Sequence, residues 1–293
     1  MADTTFRFEA IGTQWVISIP LELSADASDE LLAKVEKRIR EYDHTYSRFR
    51  DDTLVSQMAS SAGTYELPSD AAPLFELYKK VYDITRGKVT PLIGSVMEEA
   101  GYDKEYSLVP KTLHTPPTWD AVMSFDGRIL TIKRPALLDI GAAGKGYLID
   151  LVGDILKQSG QHSFTIDAGG DIMHRSEART PIQIGLENPN DTSEVIGAVT
   201  VGNESIAGSA GNRRAWGKYH HIIDPVTLES PTHILATWVI ANSTLLADML
   251  ATCLFFISAA TLAEHFVFQY IILSKDFSIE YSPDIKAEFY SGK

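Results

Sequence analysis

The sequence predicts an α+β fold, read as one domain over residues 1–293 with a large mixed or antiparallel sheet and packed helices. Strand-like segments outnumber helical ones, and their connections are irregular, with no steady βαβ rhythm. Hydrophobic residues make up 44% and charged residues 22% of 293 positions, a composition that lets a soluble chain bury a sizeable core. No internal repeat or low-complexity tract interrupts it.

From Phe6 to Pro20 the chain alternates as a strand broken near Gly12, with Trp15, Ile17 and Ile19 on one face. Asp29 to Tyr46 carries a helical stripe of Leu31, Leu32, Val35 and Ile39. A second helix over Asp70 to Thr85 is ended by Arg86-Gly87. Asp103 to Trp119 is polar and holds Pro110, Pro116 and Pro117, which predicts a long surface loop. Val122 to Ile132 reads as a hairpin, because Asp126-Gly127 suits a tight two-residue turn. A helix from Lys145 to Gln158 follows. Strands are expected over Ser163–Asp167, Ile182–Leu186, Val195–Val201 and His233–Ile240, then near Val267–Leu273 and Ser278–Tyr281.

Between the last two groups of strands lies an apolar helix, Ser243 to Phe256, that carries one ionisable group, Asp248. Burying an unpaired carboxylate costs several kcal/mol or forces protonation, so the residue needs a partner. Thr252 sits one turn later on the same face, and Asp with Thr at i, i+4 offers two oxygens to a hard cation. The alternative is an Asp bonded to a nearby turn and a Thr bonded back to its own helix.

Lys and Arg number 26 against 39 acidic residues, a formal charge of −13. That excludes sequence-independent nucleic-acid binding, which needs a basic surface, while leaving a local anion site open. The single cysteine, Cys253, reads as a small core residue. No apolar run approaches the roughly 20 residues of a membrane span. The opening Met1-Ala-Asp-Thr-Thr-Phe-Arg-Phe has no leader character. The chain as written is therefore expected in the cytoplasm, or in the periplasm if a leader has been trimmed.

Three further clusters carry possible chemistry. In Asp139-Ile-Gly141-Ala142-Ala143-Gly144-Lys145-Gly146-Tyr147 a strand end turns into a helix through glycines. Helix N-terminal amides beside a lysine suit a phosphate, although the spacing is neither the dinucleotide fingerprint nor the P-loop. Asp167-Ala168-Gly169-Gly170-Asp171 is on its own a turn. In Tyr219-His220-His221-Ile222-Ile223-Asp224-Pro225, adjacent residues of a strand face opposite ways, so at most one histidine serves a given site. That histidine could act as a general base or as a charge-complementing donor at an anionic site, and Asp224-Pro225 is a turn former.

Taken together and in order, these pieces resemble the ApbE-type FAD:protein FMN transferases. The resemblance also takes in Ile11-Gly12-Thr13, Tyr46-Ser47-Arg48-Phe49-Arg50, Gly87 to Gly94, Ser209 to Arg213 and Ala247-Asp248 through Thr252. It implies transfer of FMN from FAD to a threonine hydroxyl of an acceptor flavoprotein, with release of AMP. It implies a divalent cation, magnesium with manganese as the alternative, held by Asp248, Thr252 and the Ala142 carbonyl, with Ala251 adjacent. Positions implied to touch FAD are Ile11, Phe49, Lys88, Val89, Thr90, Asp139, Lys145 and Ile222. His221 falls on the histidine proposed as base.

The chain departs from the family at three places. Arg86-Gly87-Lys88-Val89-Thr90-Pro91-Leu92 stands where Gly-Gly-Ala-Phe-Asp-Pro-Thr is common, Phe49 replaces a tyrosine, and Gly208-Ser209-Ala210-Gly211 replaces a Thr-Ser-Gly-Asp stretch. FAD hydrolysis to FMN and AMP, or flavin binding without turnover, are the alternative functions.

Overall fold

The computed structural model describes residues 3–290; Met1 and Ala2, at the head of the stretch inspected for a leader, lie outside it. The chain begins with β1 (Thr4–Ala10) and β2 (Thr13–Ile19), then α1 (Ala25–Tyr46), α2 (Leu54–Ser60), β3 (Gly63–Glu66) and α3 (Ala72–Ile84). A 3-10 turn at Pro91–Ile93 leads to α4 (Gly94–Glu99), α5 (Trp119–Val122), β4 (Met123–Asp126), β5 (Ile129–Ile132) and α6 (Gly144–Gln158). Five strands follow: β6 (Phe164–Ala168), β7 (Asp171–Arg175), β8 (Ile182–Asn188), β9 (Asp191–Val201) and β10 (Ser205–Ala210). The short β11 (Ala215–Trp216) and β12 (Tyr219–His220) precede β13 (Ile234–Ala241), α7 (Thr244–Cys253) and α8 (Ala259–Ala263). The last strands are β14 (Gln269–Ser274), β15 (Ile279–Tyr281) and β16 (Ala287–Phe289).

The main sheet has eight strands in the order β1-β2-β6-β7-β10-β13-β14-β15, and each pairing is antiparallel. This resolves the mixed-or-antiparallel expectation. Two three-stranded sheets, β16-β9-β8 and β3-β5-β4, flank it. Trp15, Ile17, Phe164 and Ile166 bury one face of the main sheet in the same core as Leu148, Ile149 and Val152 of α6 and Met249 and Leu250 of α7. Helix α6 packs on α7, and α7 lies across β10 and β13. Cys253 is fully buried there. No helix among the described residues is long and apolar enough to cross a membrane.

Several boundaries differ from the sequence reading for physical reasons. The broken strand at Phe6–Pro20 is a hairpin, with Ile11 and Gly12 at positive φ in its two-residue turn. Helix α1 starts four residues earlier, at Ala25, because the Ser24 hydroxyl accepts the Ala27 amide. The β4–β5 turn is centred on Gly127-Arg128: Asp126 pairs with Ile129 as the last strand residue, and Gly127 takes the positive φ. Strands β7 and β10 were missed because they are buried on both faces and show little polar alternation.

Candidate active site

The site is assembled where the glycine-rich turn after Asp139 opens into α6 and meets α7. Gly146 makes this possible, because any Cβ on it would strike the Thr244 carbonyl and stand 2.7 Å from the Asp248 Cβ. Its amide donates to Asp248 Oδ2 at 2.8 Å. Asp150, one helical turn further, accepts the Thr244 and Leu245 amides at 2.9 Å and so fixes the start of α7. Sequence reasoning missed Asp150, which carried no local motif.

Around Asp248 the charges converge. The Lys145 ammonium lies 3.0 Å from Asp171 Oδ2, in an ion pair off the hydrogen-bonding direction. Asp171 Oδ1 accepts the Gly208 amide at 3.2 Å. Burial, and then the Asp171 charge, hold the Asp248 carboxyl well above the usual carboxylate range, while Lys145 and the Gly146 amide oppose this. Asp171 is likewise raised by burial and lowered by Lys145. The sequence held Asp171 only within a turn motif, and its pairing with Lys145 is a product of β7 lying beside α6.

The donors fit a hard cation. Among the described residues, no hydrogen bond to Asp248 Oδ1 is found, and the Thr252 hydroxyl reaches the Asp248 carbonyl only at 3.5 Å, too long to hold it firmly. A buried carboxylate and a loosely held hydroxyl one turn later are oxygen donors of the kind magnesium takes in part, leaving positions for phosphate and water. No cluster of three or more His, Cys, Asp or Glu with metal-holding geometry occurs among the described residues. The Ala251 carbonyl accepts the Thr237 hydroxyl at 2.7 Å and is already engaged.

Asp139 ties the glycine turn to Arg48 and to the Pro91 turn. Its Oδ1 accepts the Gly141 amide and its Oδ2 the Arg48 Nε, both at 2.6 Å, and its own amide donates to the Pro91 carbonyl at 2.7 Å. Thr90 caps the Pro91 turn by accepting the Leu92 amide, and Val89 is anchored through its amide on the Thr85 hydroxyl. Lys88 pairs with Asp224 at 3.3 Å, two residues after the buried Ile222. Asp224 is the expected turn former, its Oδ1 accepting the Val226 and Thr227 amides.

The two histidines have different environments. His220 Nε2 meets the Pro231 carbonyl at 2.9 Å, and its Nδ1 accepts the Ile222 amide at 3.3 Å, so both ring nitrogens serve the fold. His221 Nδ1 is buried without a partner among the described residues. Burial first, then the charges of Arg214, His220 and Lys145, push its pKa down to about 3 against a raising contribution from Asp139. Its ring is neutral at physiological pH. Four aromatic rings form a wall: Trp216 stacks on Tyr102, Tyr102 meets Phe49 edge-on, and Phe49 stacks on Tyr106. Ile11 stands apart on the β1–β2 turn at φ 46°, a strained setting for a β-branched side chain. A cavity of about 460 Å³ elsewhere, between His44, Asp52, Gln57 and Arg128, involves none of these residues.

Fold and site together define an α+β protein in which a glycine turn bearing Lys145, a helix bearing Asp248 and a neutral buried histidine are brought together. The ApbE family pattern matches residues 11–269, and the chain belongs to that family. It is similar to an FAD:protein FMN transferase of Vibrio cholerae, 28% identical over 239 residues, covering 76% of this chain and 70% of the relative. One from Klebsiella pneumoniae is 24% identical over 266 residues, covering 84% and 76%. The structure of the flavin transferase ApbE from Vibrio cholerae matches with a TM-score of 0.79 at 20% identity over 96% of both chains. The ApbE protein of Thermotoga maritima matches with 0.81 at 20% identity over 96% and 97%. These structural matches establish the fold.

Proposed function

We propose that this protein is an FAD:protein FMN transferase that places FMN on a threonine hydroxyl of an acceptor protein and releases AMP. The observation that carries the reading is the convergence of a neutral, unpartnered His221 with the Lys145 turn and the Asp248 helix. In the step, the threonine oxygen forms a bond to the FMN phosphorus, the bond from that phosphorus to the AMP oxygen breaks, and His221 takes the hydroxyl proton. Lys145 and the α6 amides bear on the pyrophosphate charge, and Asp139 orders the turn that presents them. Magnesium, or manganese in its place, would be held by Asp248, Thr252 and Ala142, with Ala251 adjacent, and would neutralise the pyrophosphate. Ile11, Phe49, Lys88, Val89, Thr90 and Ile222 complete the proposed FAD contacts.

The test mixes purified protein, FAD and magnesium with a candidate acceptor. Covalent flavin fluorescence on a denaturing gel should appear together with released AMP. AMP and FMN formed equally without acceptor would instead identify a hydrolase. FAD binding with no AMP under either condition would identify a flavin-binding protein without turnover.

A further inference from the structure

Arg48 is 4% exposed, and only its Nε is spoken for, by Asp139. Among the described residues, both terminal nitrogens, Nη1 and Nη2, are buried without a partner. An unpaired buried donor is costly, and two on one guanidinium leave a planar fork unused. The fork lies within the aromatic wall: the guanidinium carbon is 4.2 Å from the centre of Phe49 and 5.0 Å from that of Tyr102. Tyr106, on the exposed loop, lies parallel to Phe49 at 5.4 Å and 10°, so this wall already receives a flat conjugated ring.

We infer that Arg48 is a recognition residue for the polar edge of the flavin ring, donating through Nη1 and Nη2 to the adjacent acceptors N1 and O2 of its pyrimidine ring. This rests on the FAD reading above. Two features select a ring edge over a phosphate. The guanidinium is flanked by the Phe49 and Tyr102 rings, so its fork opens into a setting that suits a flat conjugated ring rather than a hydrated phosphate. The phosphate-binding features, Lys145 and the start of α6, lie instead on the other side of Asp139 in the sequence and pair with Asp171. Tyr106 is the ring that gives way when flavin enters. Arg48 breaks no bond and moves no proton; its role is selection.

The experiment measures affinity for FAD, riboflavin, 2-thioriboflavin and ADP by calorimetric titration. Wild-type protein should prefer riboflavin to 2-thioriboflavin, in which the O2 acceptor is replaced by sulfur. Arg48→Lys keeps a cation beside Asp139 but has no fork. It should weaken FAD and riboflavin alike by roughly ten- to a hundredfold, leave ADP unchanged and abolish the preference against the 2-thio compound. A preference that survives in Arg48→Lys, or equal binding of both riboflavins by wild-type protein, overturns the inference while leaving the FAD reading intact. The comparison within wild-type protein requires no variant to fold. Failure of wild-type protein to bind FAD overturns both.

Discussion

The Gly146 amide and the Asp248 carboxylate, 102 positions apart, meet at 2.8 Å where α6 crosses α7. This bond joins the glycine-rich turn to the helix that carries Asp248 and Thr252, and it depends on Gly146 having no side chain. Gly146→Ala should therefore cost roughly 1–3 kcal/mol of stability, as overpacking does, and should lower FAD affinity as the two helices part. Thermal unfolding and flavin titration check both. Unchanged stability would show that the helices can separate freely.

Asp248 lies in a cluster with Asp171 and Lys145 in which carboxylates exceed cations. Its raised pKa means that the folded state holds a proton the unfolded chain releases, so this group's contribution weakens as pH rises above the ordinary carboxylate value. Asp248→Asn retains an acceptor for Gly146 and is neutral without taking up a proton. Without divalent ions it should raise stability by about 1 kcal/mol or more, roughly 2–4 °C in Tm. Added magnesium should stabilise wild-type protein and not the variant. A magnesium shift that persists in Asp248→Asn would remove Asp248 from the metal set.

His221→Ala should slow transfer by about 10²–10⁴-fold while FAD still binds, the usual contribution of a positioned base. His220→Ala should act differently, lowering Tm through lost contacts to Pro231 and Ile222 with a smaller effect on rate. Equal rate losses at equal stability would refute the division of roles.

The depressed pKa of His221 sets a pH signature. The unfolded chain binds a proton near the ordinary value of 6.5, whereas the folded site resists protonation until about 3. Stability from this group is therefore intact above the ordinary value and is lost as pH falls through that window. The His221 ring resonances should stay flat between about pH 8 and pH 5, and His221→Asn should be less acid-sensitive. A titration midpoint near the ordinary value would contradict the buried, cation-facing setting.

Lys145→Ala should weaken FAD more than riboflavin, because riboflavin carries no phosphate. It also leaves Asp171 buried and unpaired, so Tm must be measured beside calorimetric titration of both ligands. Equal weakening of both, or no change for FAD, would remove the side chain from the phosphate site.

Local chemistry made much of this protein legible in the sequence. Helical stripes, alternation in β2, the Asp224 turn and the solitary Asp248 are encoded within a few residues of each position, where periodicity and capping act. The glycine turn and the paired histidines were visible as motifs with their uses left open. What the tertiary structure alone decided is partnership. Arg48 finds Asp139 across 91 positions, Lys145 finds Asp171, and of two adjacent histidines only His221 has a buried nitrogen without a partner among the described residues. Pairing across a sheet and between helices depends on register and close approach, and no short window of residues contains either. The sequence determined which groups are present; folding determined which charges are neutralised and which donors are left for a ligand.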